Sequence, residues 1–175
     1  QPAAVQVAIS VDGTNALPAT IGGGSTTICA NSAYAMNLLA ITHGAGPVTF
    51  LYNVRANNIS GDILQSNVST GAIAAGGTIY SAAAGALSAG TYFIETLSIT
   101  DANGCQVNPM VMGAGYYNHT LVVRPAVEVA VSVNGTTPLP ATVGGGSTTI
   151  CANTPYAMTL LAINQGTGPV TFLYN

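Results

Sequence analysis

The side chains best suited to general-base, nucleophilic or metal-binding chemistry are two histidines, His43 and His119, three cysteines, Cys29, Cys105 and Cys151, and five carboxylates, Asp12, Asp62, Glu95, Asp101 and Glu128. Neither histidine has a carboxylate or cysteine at a useful short spacing. They read better as a surface-loop residue and a strand residue. The acids are scattered singly, so the paired carboxylates of acid–base catalysis are not suggested. Gly22-Gly23-Gly24-Ser25-Thr26 looks fit to cradle a phosphate, but that motif ends in Gly-Lys-Ser/Thr and the chain has no lysine. No serine carries the flanks of a hydrolase elbow. Asp101-Ala102-Asn103-Gly104 lacks the later glutamate and third acidic position of a calcium loop; it reads as a hairpin turn in which Asn103-Gly104 supplies positive φ angles. No catalytic, cofactor-binding or metal-binding residue is assigned, and the chain is not read as an enzyme. Arg55 and Arg124 are its only basic side chains among 4% charged residues, which leaves no footprint for nucleic acid. A net charge of −3 without an acidic run also argues against electrostatic steering of a charged substrate.

Cys29 and Cys105 lie 76 residues apart, and closing so long a loop contributes roughly 4 kcal/mol by the chain-entropy estimate. A disulfide between them is the expected reading, with two buried thiols as the alternative. A zinc-type site needs four ligands at short spacing, which two solitary cysteines and two distant histidines do not provide. Asn58, Asn67, Asn118 and Asn134 sit in Asn-x-Ser/Thr sequons. Composition alone gives roughly 2.6 such triplets, so the case for an N- or O-linked glycan rests instead on a surface that is almost without charge and needs polar cover.

What must position these residues is visible when the chain is laid against itself. Residues 4–53 match residues 126–175 without a gap at an offset of 122, with 38 of 50 positions identical. The expected organisation is a complete unit, residues 1–125, followed by residues 126–175 as the N-terminal part of a near-identical second unit, continued in the same chain or completed by a neighbour. A period of this length suits a bead-like domain, and 49% apolar residues can fill the core of one domain and part of another. Glycine and polar residues interrupt the long uncharged stretches 13–54 and 63–94, so no membrane-spanning run of about twenty apolar residues is expected. No basic n-region with an apolar stretch opens the chain, so any secretion signal is expected to have been removed or to lie outside this sequence, and Gln1-Pro2 would suit a mature end.

Within the unit, Val5, Val7, Ile9 and Val11 alternate with polar or small residues. Val48, Phe50, Tyr52 and Val54 alternate with Thr49, Leu51, Asn53 and Arg55, and Tyr117, His119, Leu121 and Val123 with Asn118, Thr120, Val122 and Arg124, with the period of two of half-buried strands. Further strands are expected over 25–30, 34–41, 62–68, 78–81 and 91–100. They are separated by turn-formers at Gly22-Gly23-Gly24, Gly44-Ala45-Gly46-Pro47, Asn57 to Gly61, Gly76-Gly77 and Asn103-Gly104. Ala82 to Ala86 reads as a loop or single turn. Seven to nine short strands at this spacing predict an all-β fold, an antiparallel β-sandwich in tandem repeats, which the resemblance below specifies as immunoglobulin-like.

Leu87-Ser88-Ala89-Gly90-Thr91-Tyr92, followed by Ile99-Thr100-Asp101-Ala102-Asn103-Gly104-Cys105, resembles the signature of tandem extracellular repeats in Bacteroidetes surface proteins. These are the SprB-type, immunoglobulin- or PKD-like repeats of surface adhesins. Thr27-Ile28-Cys29-Ala30-Asn31, Gly44 to Phe50 and Leu121-Val122-Val123-Arg124-Pro125 are similar to other segments of those repeats. The unit is longer than the common repeat, and Asn31 stands where glycine is frequent. The resemblance implies a secreted, cell-surface, disulfide-tolerant sandwich serving as spacer or adhesive bead, with no catalytic residues to carry over.

The expected function is therefore a structural bead of an extracellular fibre, stalk or pilus-like filament, whose partner is itself, head to tail. The alternative is an adhesin or carbohydrate-binding module in which Tyr80, Tyr92, Tyr116 and Tyr117 stack on a glycan. In residues 126–175 the apolar faces Val127, Val129, Val131, Val133 and Val170, Phe172, Tyr174 have no partners within the sequence, which marks the 126–133 strand as the expected assembly junction.

Overall fold

The computed structural model describes residues 5–17, 23–108, 117–133, 137–139, 151–152, 155–165 and 169–173. The chain divides into two compact units, Gln1–Arg124 and Pro125–Asn175.

The alternating segments become strands. In the first unit β1 (Gln6–Ser10), β3 (Tyr34–His43) and β6 (Thr78–Ala82) form one sheet in the order β1-β3-β6. The second sheet runs β2 (Ser25–Cys29), β9 (His119–Arg124), β7 (Gly90–Thr100), β4 (Val48–Ala56), β5 (Ile63–Ile73), with the short β8 (Gln106–Val107) on β7. Each sheet turns its apolar face inward. Val7, Ile9, Tyr34, Met36, Leu38, Ile79 and Tyr80 come from the first, and Val48, Phe50, Tyr52, Val54, Ile94, Ile99, Leu121 and Val123 from the second, all in one buried core. The described residues contain strands and no α-helix, and the arrangement is sandwich-like. No helix among them is long and apolar enough to cross a membrane.

The pairing is not wholly antiparallel. β2 lies parallel to β9, from Ser25 opposite Thr120 to Cys29 opposite Arg124. The reason is that β1 and β2 are two legs of one passage along the unit: the chain changes sheets between them but keeps its direction, which is also that of β9. Elsewhere in the unit neighbours are antiparallel. β5 extends past its expected end to Ile73. Positive φ at Asn67 and Gly71 accompanies its register shifts against β4, and such bulges spoil an outer edge as a template for further strands.

In the second unit β10 (Glu128–Ser132) pairs antiparallel with β11 (Thr159–Gln165). Val129 faces Ile163, Ala130 faces Ala162 and Val131 faces Leu160, the same register, bulges included, as Val7 with Ile41, Ala8 with Ala40 and Ile9 with Leu38. The Leu17 N–H donates to Ile9 O, and the Leu139 N–H repeats this with Val131 O.

Candidate assembly surfaces

Strand directions give the first unit two distinct poles. At the N-terminal pole Gln6 lies opposite His43, and a Cβ on Gly44 would sit within 3.1 Å of both Val5 and Asp101. Asp101 ties this pole together. Its Oδ1 accepts from the Asn103 and Cys105 N–H groups at 3.0 and 2.8 Å, and its Oδ2 accepts from the Ala45 N–H at 3.0 Å. These bonds, led by the one from Ala45, hold its carboxyl below the usual range. The turn differs from the expected Asn103-Gly104 pair, since positive φ falls on Gly104 alone (+79°) and the Asp101 side chain organises the loop. At the C-terminal pole Val123 faces Gly90, and Cys29 faces Arg124, where β9 ends.

This geometry overturns the expected disulfide. Cys29, Cys105 and Cys151 are free thiols. Cys29 is beside the Gly90 end of β7, whereas Cys105 precedes Gln106, which pairs with Thr100 at the other end. Ten residue steps of strand separate the two ends, roughly 33 Å at 3.3 Å per residue, and a disulfide requires Cα atoms within about 7 Å. Neither cysteine is buried, so the buried-thiol alternative fails too.

The histidines separate. His43 is exposed at the end of β3, while His119 is fully buried, its Nδ1 3.0 Å from Gly23 O and its Nε2 2.9 Å from Thr26 Oγ1. Burial lowers its pKa, partly offset by the Gly23 carbonyl. The imidazole joins β9 to the start of β2 rather than facing a substrate. Gly23 itself has φ +65°, and a Cβ there would lie 1.4 Å from Asn118 O, so only glycine permits this approach. Among the described residues no group of three or more His, Cys, Asp or Glu could hold a metal.

Of the sequons, Asn58 and Asn67 are exposed. Asn118 is 2% exposed and its Oδ1 accepts from the Thr96 N–H at 2.8 Å, so it is corrected from a glycan site to an internal link between β7 and β9. Asn134 lies outside the described residues. The described tyrosines of the expected stacking set have separate surroundings. Tyr80 is in the core beside Tyr34 and Tyr52, Tyr92 donates to Ser88 O, Tyr117 is half-buried, and Tyr116 lies outside the described residues.

The second unit differs from the first in the exposure of its apolar face, in line with the unpartnered residues of 126–175 in the sequence. Val127 is 56% exposed, Tyr156 54%, Met158 54% and Phe172 42%. Their counterparts at an offset of 122, Val5, Tyr34, Met36 and Phe50, are all at or below 5%. Val131, Tyr156, Met158, Leu160 and Phe172 line an open groove of about 530 Å³. In the first unit the counterpart side chains lie in one buried core together with residues of β6, β7 and β9. Of the expected junction residues, Val127 is exposed and Val129, Val131 and Val133 are half-buried; of the facing set, Phe172 is exposed, Val170 is half-buried and Tyr174 lies outside the described residues. No family model matches the chain, and no curated protein or solved structure matches it either.

Proposed function

We propose that the protein is a structural bead of an extracellular fibre, stalk or pilus-like filament, built from immunoglobulin-like sandwich units joined head to tail. The observation that carries this reading is the tandem repeat at the level of structure, in which β10 and β11 of residues 126–175 restate β1 and β3. These residues keep the core side chains of the first unit, with Ile9 to Val131 a loss of one methylene, and keep its strand register. A face built to be buried is completed either by a continuing chain or by a neighbouring subunit.

Three features support the finer parts of the proposal. The division β1-β3-β6 against β2-β9-β7-β4-β5 fits the immunoglobulin pattern, in which the first, second and fifth strands oppose the sheet built on the third and the last two. Chain start and chain end at opposite poles suit a linear array, because each unit then adds its length to the axis. The likeness of Leu87–Tyr92 and Asp101–Cys105 to Bacteroidetes surface repeats accords with a secreted, cell-surface location.

Electron microscopy of the native material tests the reading. Filaments of beads are expected, and deletion of residues 126–175 should leave a folded monomer that no longer assembles. Filaments with an unchanged axial repeat after that deletion would refute it.

A further inference from the structure

His119 is a buried titratable group that the proposed function does not use. Its side chain is 0% exposed, yet it lies at the seam that attaches the outermost strand of the larger sheet. That strand, β2, ends the sheet and pairs with β9 alone. Ser25, Thr27 and Cys29 of β2 are exposed, and Thr26 and Ile28 are half-buried. We infer that His119 is an acid-sensitive latch, in which protonation of the ring releases β2 from β9 while the rest of the sandwich stays closed. The inference goes beyond the bead reading and stands or falls apart from it.

The bonds of the imidazole are the first argument. Nδ1 lies 3.0 Å from Gly23 O, and a carbonyl only accepts, so Nδ1 carries the proton of the neutral ring. Nε2 then accepts from the Thr26 hydroxyl at 2.9 Å. Both nitrogens of a β9 side chain are thus spent on the segment that enters and forms β2. Backbone bonds complete the seam: the Thr120 N–H donates to Gly24 O at 3.1 Å, and the Ala30 N–H donates to Arg124 O at 2.9 Å.

The second argument is that a further proton on this ring meets no counter-charge. From β3 the neighbour is Tyr34, its ring stacked at 6.3 Å and 11°, and Tyr80 of β6 lies behind it. Burial raises the pKa of both phenols, so both stay neutral. From β7, Ile94 stands opposite His119. The next residue, Glu95, is committed to Arg55 and Asn53 at 2.7 and 2.9 Å. β2 itself carries no charged side chain. A buried cation without a partner is costly, and water reaches it with least disruption if the strand bonded to it lifts away. β2 is five residues long, and Ile28 is its one apolar side chain packed against the core, so its departure uncovers little. It leaves the edge of β9 from Thr120 to Arg124 bare, and a bare edge is a template for another strand.

Site-resolved amide hydrogen exchange of the whole chain between about pH 7.5 and 5, corrected for the intrinsic rate, tests the latch. Opening that takes up one proton becomes about tenfold more favourable per pH unit below the open-state value of about 6.5. It levels off below the closed-state value, which burial lowers. The Thr120 and Ala30 amides should follow that slope, while amides of the β4–β7 ladder keep constant protection. In His119→Gln the slope at the two seam amides should vanish. In His43→Gln, which replaces the exposed histidine by the residue type found at Gln165, it should persist. The comparison of seam with ladder in the wild-type chain needs no substitution. Flat protection of the seam amides over this range, equal loss at seam and ladder, or an unchanged slope in His119→Gln would each overturn the inference.

Discussion

Leu38 and Leu160 are one residue of the repeat in two settings, and truncating each to alanine separates a covered face from an open one. Leu38 is 0% exposed and pairs with Ile9, whereas Leu160 is 39% exposed and pairs with Val131. Leu38→Ala removes buried methyl groups and leaves a cavity, a loss of about 3 kcal/mol. For a unit of this size, at roughly 3–4 °C per kcal/mol, that lowers the first unit's midpoint by about 10 °C. Leu160→Ala acts on a side chain already partly in water beside an open groove. The loss in the unassembled chain is about 1 kcal/mol, local to the second unit, and the first unit's midpoint stays where it was. If the proposed assembly completes the core around Leu160, its truncation acts there as well. It then weakens association by about 1–2 kcal/mol, roughly tenfold in the assembly constant. Calorimetry of the unassembled chain and light scattering of the assembling one read the two effects separately. If Leu160→Ala lowered the first unit's midpoint as far as Leu38→Ala does, or left assembly untouched, the uncovered face would not be what drives association.

Other outcomes follow from single sites. His119 has a lowered folded pKa, so the stability it confers is complete above its unfolded value of about 6.5 and is lost as pH falls from there through the folded value. The wild-type midpoint should therefore begin to drop below about pH 6.5, ahead of the carboxylates, and His119→Gln should flatten that part of the profile even if its midpoint is lower at neutral pH. Gly23→Ala places a Cβ 1.4 Å from a backbone oxygen at a φ of +65° and should cost more than about 3 kcal/mol in denaturant unfolding, while alanine at Gly13, where nothing lies within 4 Å, should cost about 1 kcal/mol for its positive φ. Tyr34 Oη is the one buried side-chain polar atom without a hydrogen-bond partner among the described residues, and Tyr34→Phe should leave the midpoint unchanged or raise it; a fall of several degrees would reveal a partner for the hydroxyl.

Much of the strand layout was legible in the sequence because a strand's two faces are written two residues apart. Val48, Phe50, Tyr52 and Val54 alternate in the sequence and are all buried, and Asn57 to Gly61 and Gly76-Gly77 bound strands as turn-formers do. The repeat and the near absence of charge were equally plain, since each concerns residue types and spacing alone. What spacing cannot hold is the end of the sheet at which a residue arrives. Cys29 and Cys105 looked like partners across a long loop, but their poles depend on the direction of every strand between them and on the parallel run of β2 beside β9. Asn118 reads as an exposed sequon in its triplet, yet its amide is consumed by Thr96, 22 residues away in the chain. Tyr80 likewise is drawn into the core by neighbours on other strands. The repeat shows the same limit of local sequence, although the missing partners of residues 126–175 were legible from the sequence as a whole. Met36 and Met158 stand in the same local sequence, and their strands keep the same register, but one is buried and the other is 54% exposed. Burial depends on which strands lie across the core, and for residues 126–175 those strands are not part of the local sequence that forms the face.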